Sequence, residues 1–364
     1  MRMRILAAFL LALLLALLLR TSGDLERSVG PQAAADAVIS AGAGSPAVLI
    51  SAEETSTAPA NLPRRLLKGE SAGCVAESVS GASIKWMIRR QNPDGSWGGD
   101  AEVFEGHIHT QTSATALTML ALLAAGYTHL TKDEVDGKRI GDAVKAGVKW
   151  LAAREPADAF EAALASLALS EALGLTNAQW IREGSRAALD RFEAFQRFDG
   201  TRGDALADTW AAVAWHSAKL SELEFDAASA ERTATRQREA LQSAPTAEAA
   251  AVYLLLTKDR AHESLPGLAA SIAASPPDWE KPEFTRWFFA TLTLHQLEGP
   301  GHVETPGESW KTWSQAVKEV LVRNQLRDGT WPGLSGQTGT VVRTAMATMS
   351  LEVYYRYSSM MGVR

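Results

Sequence analysis

Cysteine is almost absent from this chain of 364 residues, and so is any excess of positive charge. The single cysteine, Cys74, excludes an intramolecular disulfide framework and every metal site built from several cysteines. The 36 lysines and arginines are outnumbered by 42 acidic residues, which gives a formal charge of −6. A nucleic-acid-binding protein needs a basic surface, so we expect no nucleic-acid partner. A hydrophobic content of 46% is typical of a folded protein.

A long apolar run stands only at the N-terminus. Residues 5–19 carry no polar side chain, and Arg2, Arg4 and Arg20 flank them. This pattern is typical of an export signal. As a helix the run would reach about 22 Å, whereas the hydrocarbon core of a bilayer is about 30 Å thick. Residues 1–20 are therefore either a cleaved signal peptide or a membrane anchor formed by residues 5–19. Both alternatives predict export across the cytoplasmic membrane and an extracytoplasmic or periplasmic location.

Residues 21–80 are rich in alanine, serine, proline and glycine and have no sustained helix or strand period. Such a segment cannot bury enough apolar surface to offset the entropy of ordering it. We predict a disordered tether here, followed by one folded domain over residues 81–358. Cys74 lies in the predicted tether, which favours an inert or intermolecular thiol over a catalytic one.

The folded domain reads as six copies of a helix pair. Each copy has a first helix with a charged face, then a polar loop, then a second helix of alanine and leucine. The second helices are predicted over residues 112–124, 160–173, 209–220, 247–256, 284–297 and 342–357. Because a helix that is apolar all round must be buried all round, these helices should form an inner ring. We predict an all-α α/α toroid, with an open solenoid as the alternative.

Two loops between paired helices share a tryptophan motif. The motif residues are Trp86, Gln91, Gly95 and Trp97 in the first unit, and Gln325, Gly329 and Trp331 in the sixth. In both loops Asp-Gly predicts a tight turn, and the tryptophan should fold back onto the helix end. The glutamine should bond to backbone groups left open at the helix terminus. A third loop begins with Gln196 but has Arg202 in the tryptophan position.

This pattern resembles the QW repeat of the squalene/hopene cyclase and protein prenyltransferase superfamily. The resemblance covers roughly residues 82–357 and implies an α/α toroid whose loops tie neighbouring outer helices together. Two copies depart from the pattern, because Val320 replaces an aromatic residue and Glu155 replaces the glutamine of a copy begun by Trp150. The end of the domain, residues 351–357, also looks like that of uncharacterised exported bacterial toroid proteins.

The catalytic groups of that superfamily are missing from the sequence. Hopene-type cyclases use an Asp-x-Asp-Asp acid, and the nearest acidic run, residues 133–136, reads as a solvated loop. Prenyltransferases hold zinc on Asp, Cys and His, but Cys74 lies outside the predicted toroid. A thioester loop with Cys and Gln is also absent. The resemblance therefore carries over no catalytic residue, and we expect neither a metal nor a cofactor.

The starts of the six inner helices should converge at one mouth of the toroid. Polar groups that converge over an apolar funnel are the usual place for a ligand. The candidate ligand-binding residues are His109, Gln111, Asp158, Glu161, Asp208, Trp210, Glu248, Arg286, Trp287 and Arg343.

Each of these candidates also has a structural interpretation. Asp158 and Asp208 stand near helix starts, where carboxylates cap free N–H groups. His109, with His107 two residues earlier, either ligates a metal or only forms hydrogen bonds in a loop. Arg286 and Arg343 either hold an anionic ligand or pair with Glu161, Asp208 or Glu248.

Three functions compete on these grounds. The first is a non-catalytic exported or membrane-anchored module that binds a lipid, peptide or protein at the mouth. It is favoured because the catalytic clusters are absent. The second is an isoprenoid enzyme of the cyclase or prenyltransferase type, which the resemblance suggests. The third is an α/α-barrel carbohydrate hydrolase or lyase. A toroid whose axis is filled would count against both enzymes.

Overall fold

The computed structural model describes residues 72–333 and 336–353, with side chains from residue 78 onward. The predicted signal or anchor, the tether up to residue 71 and the chain end beyond residue 353 lie outside the described residues. Within them there are twelve helices: α1 (Ala72–Arg90), α2 (Gln111–Ala124), α3 (Ile140–Ala152), α4 (Ala159–Thr176), α5 (Gln179–Gln196), α6 (Ala205–Leu220), α7 (Ala227–Ser243), α8 (Ala247–Thr257), α9 (Ser264–Ala274), α10 (Phe284–Glu298), α11 (Glu308–Asn324) and α12 (Gln337–Glu352).

The even-numbered helices form a closed inner ring. Each packs against the next, and α12 returns to pack against α2. The odd-numbered helices lie outside them, so the predicted α/α toroid of six pairs is confirmed and the open solenoid is wrong. Helix α4 illustrates the inner ring, because every residue from Ala159 to Leu173 is buried.

Small and hydroxyl-bearing residues let the inner helices pack closely. Thr115, Thr118, Thr291, Thr344 and Thr348 each donate a hydrogen bond of 2.7–2.8 Å to the carbonyl four residues earlier. A buried hydroxyl is thereby satisfied inside its own helix. Among the described residues one helix, α4, has the length and composition of a membrane span, and 83% of it is buried within the protein. That burial is expected of an inner-ring helix.

Two short antiparallel hairpins interrupt the helices. Strands β1 (Glu102–Phe104) and β2 (His107–His109) pair before α2, and β3 (Glu134–Val135) and β4 (Lys138–Arg139) pair before α3. The sequence analysis predicted loops at both places, which is wrong. Both hairpins turn on a two-residue acidic-Gly step, Glu105-Gly106 and Asp136-Gly137, whose φ values lie between 48° and 84°. Such positive-φ pairs are typical of tight hairpin turns.

The tryptophan loop of the first unit ties α1 to α3. Trp97 donates through Nε1 to the Met87 carbonyl at 2.7 Å, so its ring folds back onto α1. Gln91 donates to Gly95 O at 2.9 Å and to Ala143 O of α3 at 2.8 Å. Gly95 has a φ of 97°, and an added Cβ there would lie 2.8 Å from a carbonyl oxygen of α3. Glycine is therefore required at this turn.

The loop of the sixth unit repeats this geometry and ties α11 to α1. Trp331 donates to Leu321 O at 2.8 Å, and Gln325 donates to Gly329 O at 3.0 Å and to Val79 O at 2.8 Å. The two loops thus fasten the first and last units of the chain to each other and to the second unit.

The structure corrects the predicted boundary between tether and toroid. Helix α1 begins at Ala72, before the predicted start at residue 81, so Cys74 lies in a helix and not in a tether. The helix is held by tertiary contacts, since Val79 O accepts from Gln325 and Ser83 Oγ lies 2.7 Å from Thr348 Oγ1. Composition alone cannot anticipate such contacts.

Candidate functional site

A cavity of about 920 Å³ opens at the mouth where the inner helices begin. Its walls are the starts of α6, α8 and α10, the second half of the outer helix α7, and the turn of the β1–β2 hairpin. The lining side chains with polar or charged groups are Glu105, His107, Asp204, Asp208, Thr209, Arg236, Gln237, Thr246, Glu248, Glu283, Thr285 and Arg286. Small apolar side chains lie between them.

Four inner helices carry their own cap at this mouth. Thr110, Asp158, Asp204 and Thr246 are the N-cap residues of α2, α4, α6 and α8, and each side chain accepts a backbone N–H. The capping interpretation of Asp158 is therefore confirmed. For Asp208 it is wrong, because Asp204 is the residue that caps α6.

The other two inner helices are capped by the β1–β2 hairpin. Neither α10 nor α12 has a side-chain cap of its own. Glu105 instead accepts the N–H groups of Phe284 and Thr285, the latter at 2.9 Å. Glu102 accepts the N–H of Thr338 at 3.3 Å and of Gly339 at 3.0 Å. Two glutamates of one hairpin thus satisfy the free N–H groups and dipoles of two helices.

The carboxyl of Glu105 lies in a concave, protein-walled part of the mouth, although the residue is exposed to solvent. Removal of surrounding water raises its pKa above the ordinary value, and the bonds from Thr285 and Phe284 oppose that rise. The neighbouring carboxylate of Glu283 adds to the rise. The hairpin turn therefore contributes an acid whose proton affinity is increased.

The hairpin also covers the centre of the ring. Phe104 packs on Phe284 with ring centroids 6.2 Å apart, and His109 lies 5.8 Å from Phe104 and 5.4 Å from Phe160. His109 is 4% exposed, and burial, helped by His107, lowers its pKa to about 4. This imidazole is neutral at pH 7, and its Nδ1 has no hydrogen-bond partner in the described part of the protein.

Aromatic side chains fill the region beneath the hairpin. Trp210 stacks on Phe288 at 5.9 Å and contacts Phe289 at 5.1 Å, and Trp287 packs on Phe284 at 5.0 Å. All five are buried. Trp210 and Trp287 were expected at a ligand-facing mouth, and that placement is wrong. Large apolar rings gain most from full burial, so they pack inward even near a helix start.

Asp208 lies at the cavity wall in a dense set of hydrogen bonds. Arg236 donates to Oδ1 through Nε at 2.9 Å and also through Nη2, and Thr201 donates to the same oxygen at 2.9 Å. Gln237 donates to Oδ2 at 3.0 Å. A buried carboxylate needs such partners, and these leave it little capacity for a ligand.

The two arginines that were expected to act together are separated. Arg286 lines the cavity, lies 3.5 Å from Glu283 and donates to Ser275 O at 3.4 Å. Arg343 is buried and donates to Trp331 O at 2.9 Å. Burial lowers the pKa of Arg343, while carboxylates of the hairpin oppose this. The predicted ion pairs with Glu161, Asp208 or Glu248 do not form among the described residues.

Two other predicted residues stay outside the cavity lining. Glu161 is buried and joins two helix starts, because it accepts from Thr110 Oγ1 and from Ala157 N at 2.8 Å. Gln111 stands in the first turn of α2. Of the ten predicted residues, the cavity brings together Asp208, Glu248 and Arg286.

Glu248 and Gln237 carry the free acceptors of the cavity. Glu248 is half-buried and makes no hydrogen bond or ion pair with any described residue. Gln237 is 4% exposed, and its Oε1 accepts no hydrogen bond from the described residues while its Nε2 is used by Asp208. These two groups are available to a ligand.

The sequence analysis missed several lining residues. Arg236 and Gln237 sit on an outer helix, which we expected to face away from the mouth. Glu105 belongs to a hairpin that was not predicted. Asp204 could have been found, because an aspartate directly before an apolar helical run signals an N-cap.

Metal ligation finds no support in the part of the chain with described side chains. Within residues 78–333 and 336–353 there is no group of three or more His, Cys, Asp or Glu side chains placed to hold a metal ion. The rings of His107 and His109 instead lie on either side of Phe160, 5.5 and 5.4 Å from it.

No protein-family model matches this chain, and neither does any curated protein. Solved structures do match over most of its length. One is an inactive variant of the α-1,6-mannanase GH76A of Salegentibacter sp. HEL1_6 in complex with α-1,6-mannotetrose, with a TM-score of 0.54 at 15% identity, covering 78% of this chain and 99% of the mannanase. Another is the type II terpene cyclase MstE of Scytonema in its apo form, with a TM-score of 0.50 at 14% identity, covering 79% of this chain and 98% of the cyclase. At these identities the similarity establishes the α/α-toroid fold. It does not establish the QW-repeat relationship.

Proposed function

We propose that this protein is a saccharide-binding α/α toroid and that the mouth cavity holds the sugar. The proposal rests on how polar and aromatic side chains are divided. The open cavity is lined by carboxylates, arginines, an amide and hydroxyls, which suit sugar hydroxyl groups. The aromatic side chains, which an isoprenoid would need around it, are packed against one another in the core.

The solved mannanase supports the same choice of ligand. It carries a mannotetrose on a related toroid, although the low identity transfers the fold and not the substrate. The small alanines of the lining, such as Ala205 and Ala249, leave room for the apolar face of a pyranose ring.

Binding without hydrolysis is the form of the proposal that fits the carboxylates. A glycosidase needs two free carboxyl groups facing each other across roughly 5–10 Å. Four of the five lining carboxylates are already engaged, and Glu248 is the one without a partner in the described residues. The engaged four are Glu105 at a helix start, Asp204 with His107 at 3.1 Å, Asp208 with Arg236, and Glu283 with Arg286.

Calorimetric titration of the full chain, purified in mild detergent, tests the proposal. Neutral, acidic and amine-bearing oligosaccharides are compared with isoprenoid lipids and peptides. We expect at least one saccharide class to bind, and Glu248→Ala to weaken that binding without lowering the melting temperature. Binding of an isoprenoid and of no saccharide would overturn the proposal. Release of new reducing ends would show that the site is hydrolytic.

A further inference from the structure

The cavity has an unequal supply of free donors and acceptors. Five carboxylates line it against two guanidinium groups. Both guanidinium groups are held by protein carboxylates, Arg236 by Asp208 and Arg286 by Glu283. No cationic side chain of the lining is therefore left to receive an anionic ligand.

The free groups of the lining are acceptors. Glu248 has no partner among the described residues, and the Oε1 of the nearly buried Gln237 accepts nothing from them. A buried amide oxygen without a donor is costly, so the cavity favours a ligand that brings N–H or O–H groups to it. An unpaired carboxylate on the same cavity favours a donor that is also positively charged.

We propose that the cavity selects an amino sugar, a saccharide whose protonated amine pairs with Glu248 while its N–H and O–H donors satisfy Gln237. This inference rests on the proposed saccharide-binding function and adds the charge of the ligand. The excess of carboxylates in a concave site attracts a cation and repels a uronic acid.

Four matched tetrasaccharides separate the two proposals: one of glucosamine, its N-acetylated form, a neutral mannose form and an acidic galacturonate form. Each is titrated into the full chain at mildly acidic pH, where the amine is protonated. We expect the glucosamine form to bind roughly tenfold more tightly than its N-acetylated form, because a charge-assisted hydrogen bond is lost on acetylation. Added salt should reduce this preference, since the attraction is screened.

A variant pair then locates the charge. Glu248→Gln should bring the affinity for the amine form down to that for the N-acetylated form. Glu239→Gln makes the same change of charge on an exposed residue of α7 that does not line the cavity, and it should retain the preference.

The outcomes distinguish the two ideas. Equal affinity for the amine and N-acetylated forms overturns the amino-sugar inference and leaves saccharide binding intact. Preferred binding of the acidic form does the same. Binding of none of the four overturns both. The acetylation and salt comparisons use the wild-type protein, so they hold even if Glu248→Gln does not fold.

Discussion

The junction of the first and sixth units and the neighbourhood of the third unit use the same loop position in opposite ways. At the junction, Trp97 and Trp331 are fully buried and each loop glutamine donates to a neighbouring outer helix. In the third unit, Gln196 is buried with an unpartnered Nε2, and Arg202 is exposed where a tryptophan would stand.

Ion pairs take over where the tryptophan tie is missing. Asp199 of the third loop lies 3.3 Å from Arg232 and 3.6 Å from Arg236, both on α7. The loop also turns differently, because Asp199, and not the following glycine, has a positive φ of 50°. The cavity opens beside this loop. The comparison teaches that the toroid is fastened by buried rings at its closure and by charge beside its candidate site.

The largest expected effect breaks the fastened side. Trp97→Ala or Trp331→Ala removes a fully buried ring and should lower the free energy of unfolding by about 3–5 kcal/mol. Trp180→Ala is the matched control, since that ring is 39% exposed on an outer helix. Chemical denaturation measures both. A similar loss from Trp180→Ala would contradict the assignment of the loop tryptophans as the main ties.

On the cavity side, Arg236→Ala should cost about 3 kcal/mol. The change leaves the buried carboxylate of Asp208 without its charged partner. The double variant Arg236→Ala with Asp208→Asn should recover part of the loss, because the buried charge is then gone. Urea denaturation of the two variants gives the comparison, and no recovery in the double variant would argue against an unpaired charge as the cause.

Acid should weaken the mouth through His109. Its folded-state pKa is about 4 against an ordinary 6.5, so the unfolded chain takes up a proton first as the pH falls. The stabilisation is therefore present above 6.5 and is lost between 6.5 and about 4, amounting to about 2 kcal/mol near pH 5. His109→Gln should flatten this part of the stability profile. A remaining slope is expected from His295, whose pKa burial also lowers to about 4.

The smallest effect sharpens the comparison between the loops themselves. Gln325→Met removes two donated hydrogen bonds from a buried site and should cost about 1–2 kcal/mol. Gln196→Met removes only a weak contact with Thr201 at 3.4 Å and should cost less than Gln325→Met. Equal losses in thermal unfolding would mean that the third loop is tied as firmly as the sixth.

The repeat was readable from sequence because burial on all sides requires an unbroken run of apolar residues. The six alanine-rich helices predicted an inner ring, and Gln325 and Trp331 predicted a fold-back loop. Capping by Asp158 was readable for a similar reason, since an N-cap bond spans only a few residues.

Sequence by itself thus determined the all-α class, the six helix pairs, their inner and outer rings and the two tryptophan loops. Each of these depends on residues close together along the chain. Tertiary structure alone decided that the ring closes, that Glu102 and Glu105 cap distant helices, and that Arg236 of an outer helix reaches Asp208 of an inner one. These contacts join residues far apart in sequence, and a hydrogen bond or ion pair between such residues leaves no periodic trace in either segment.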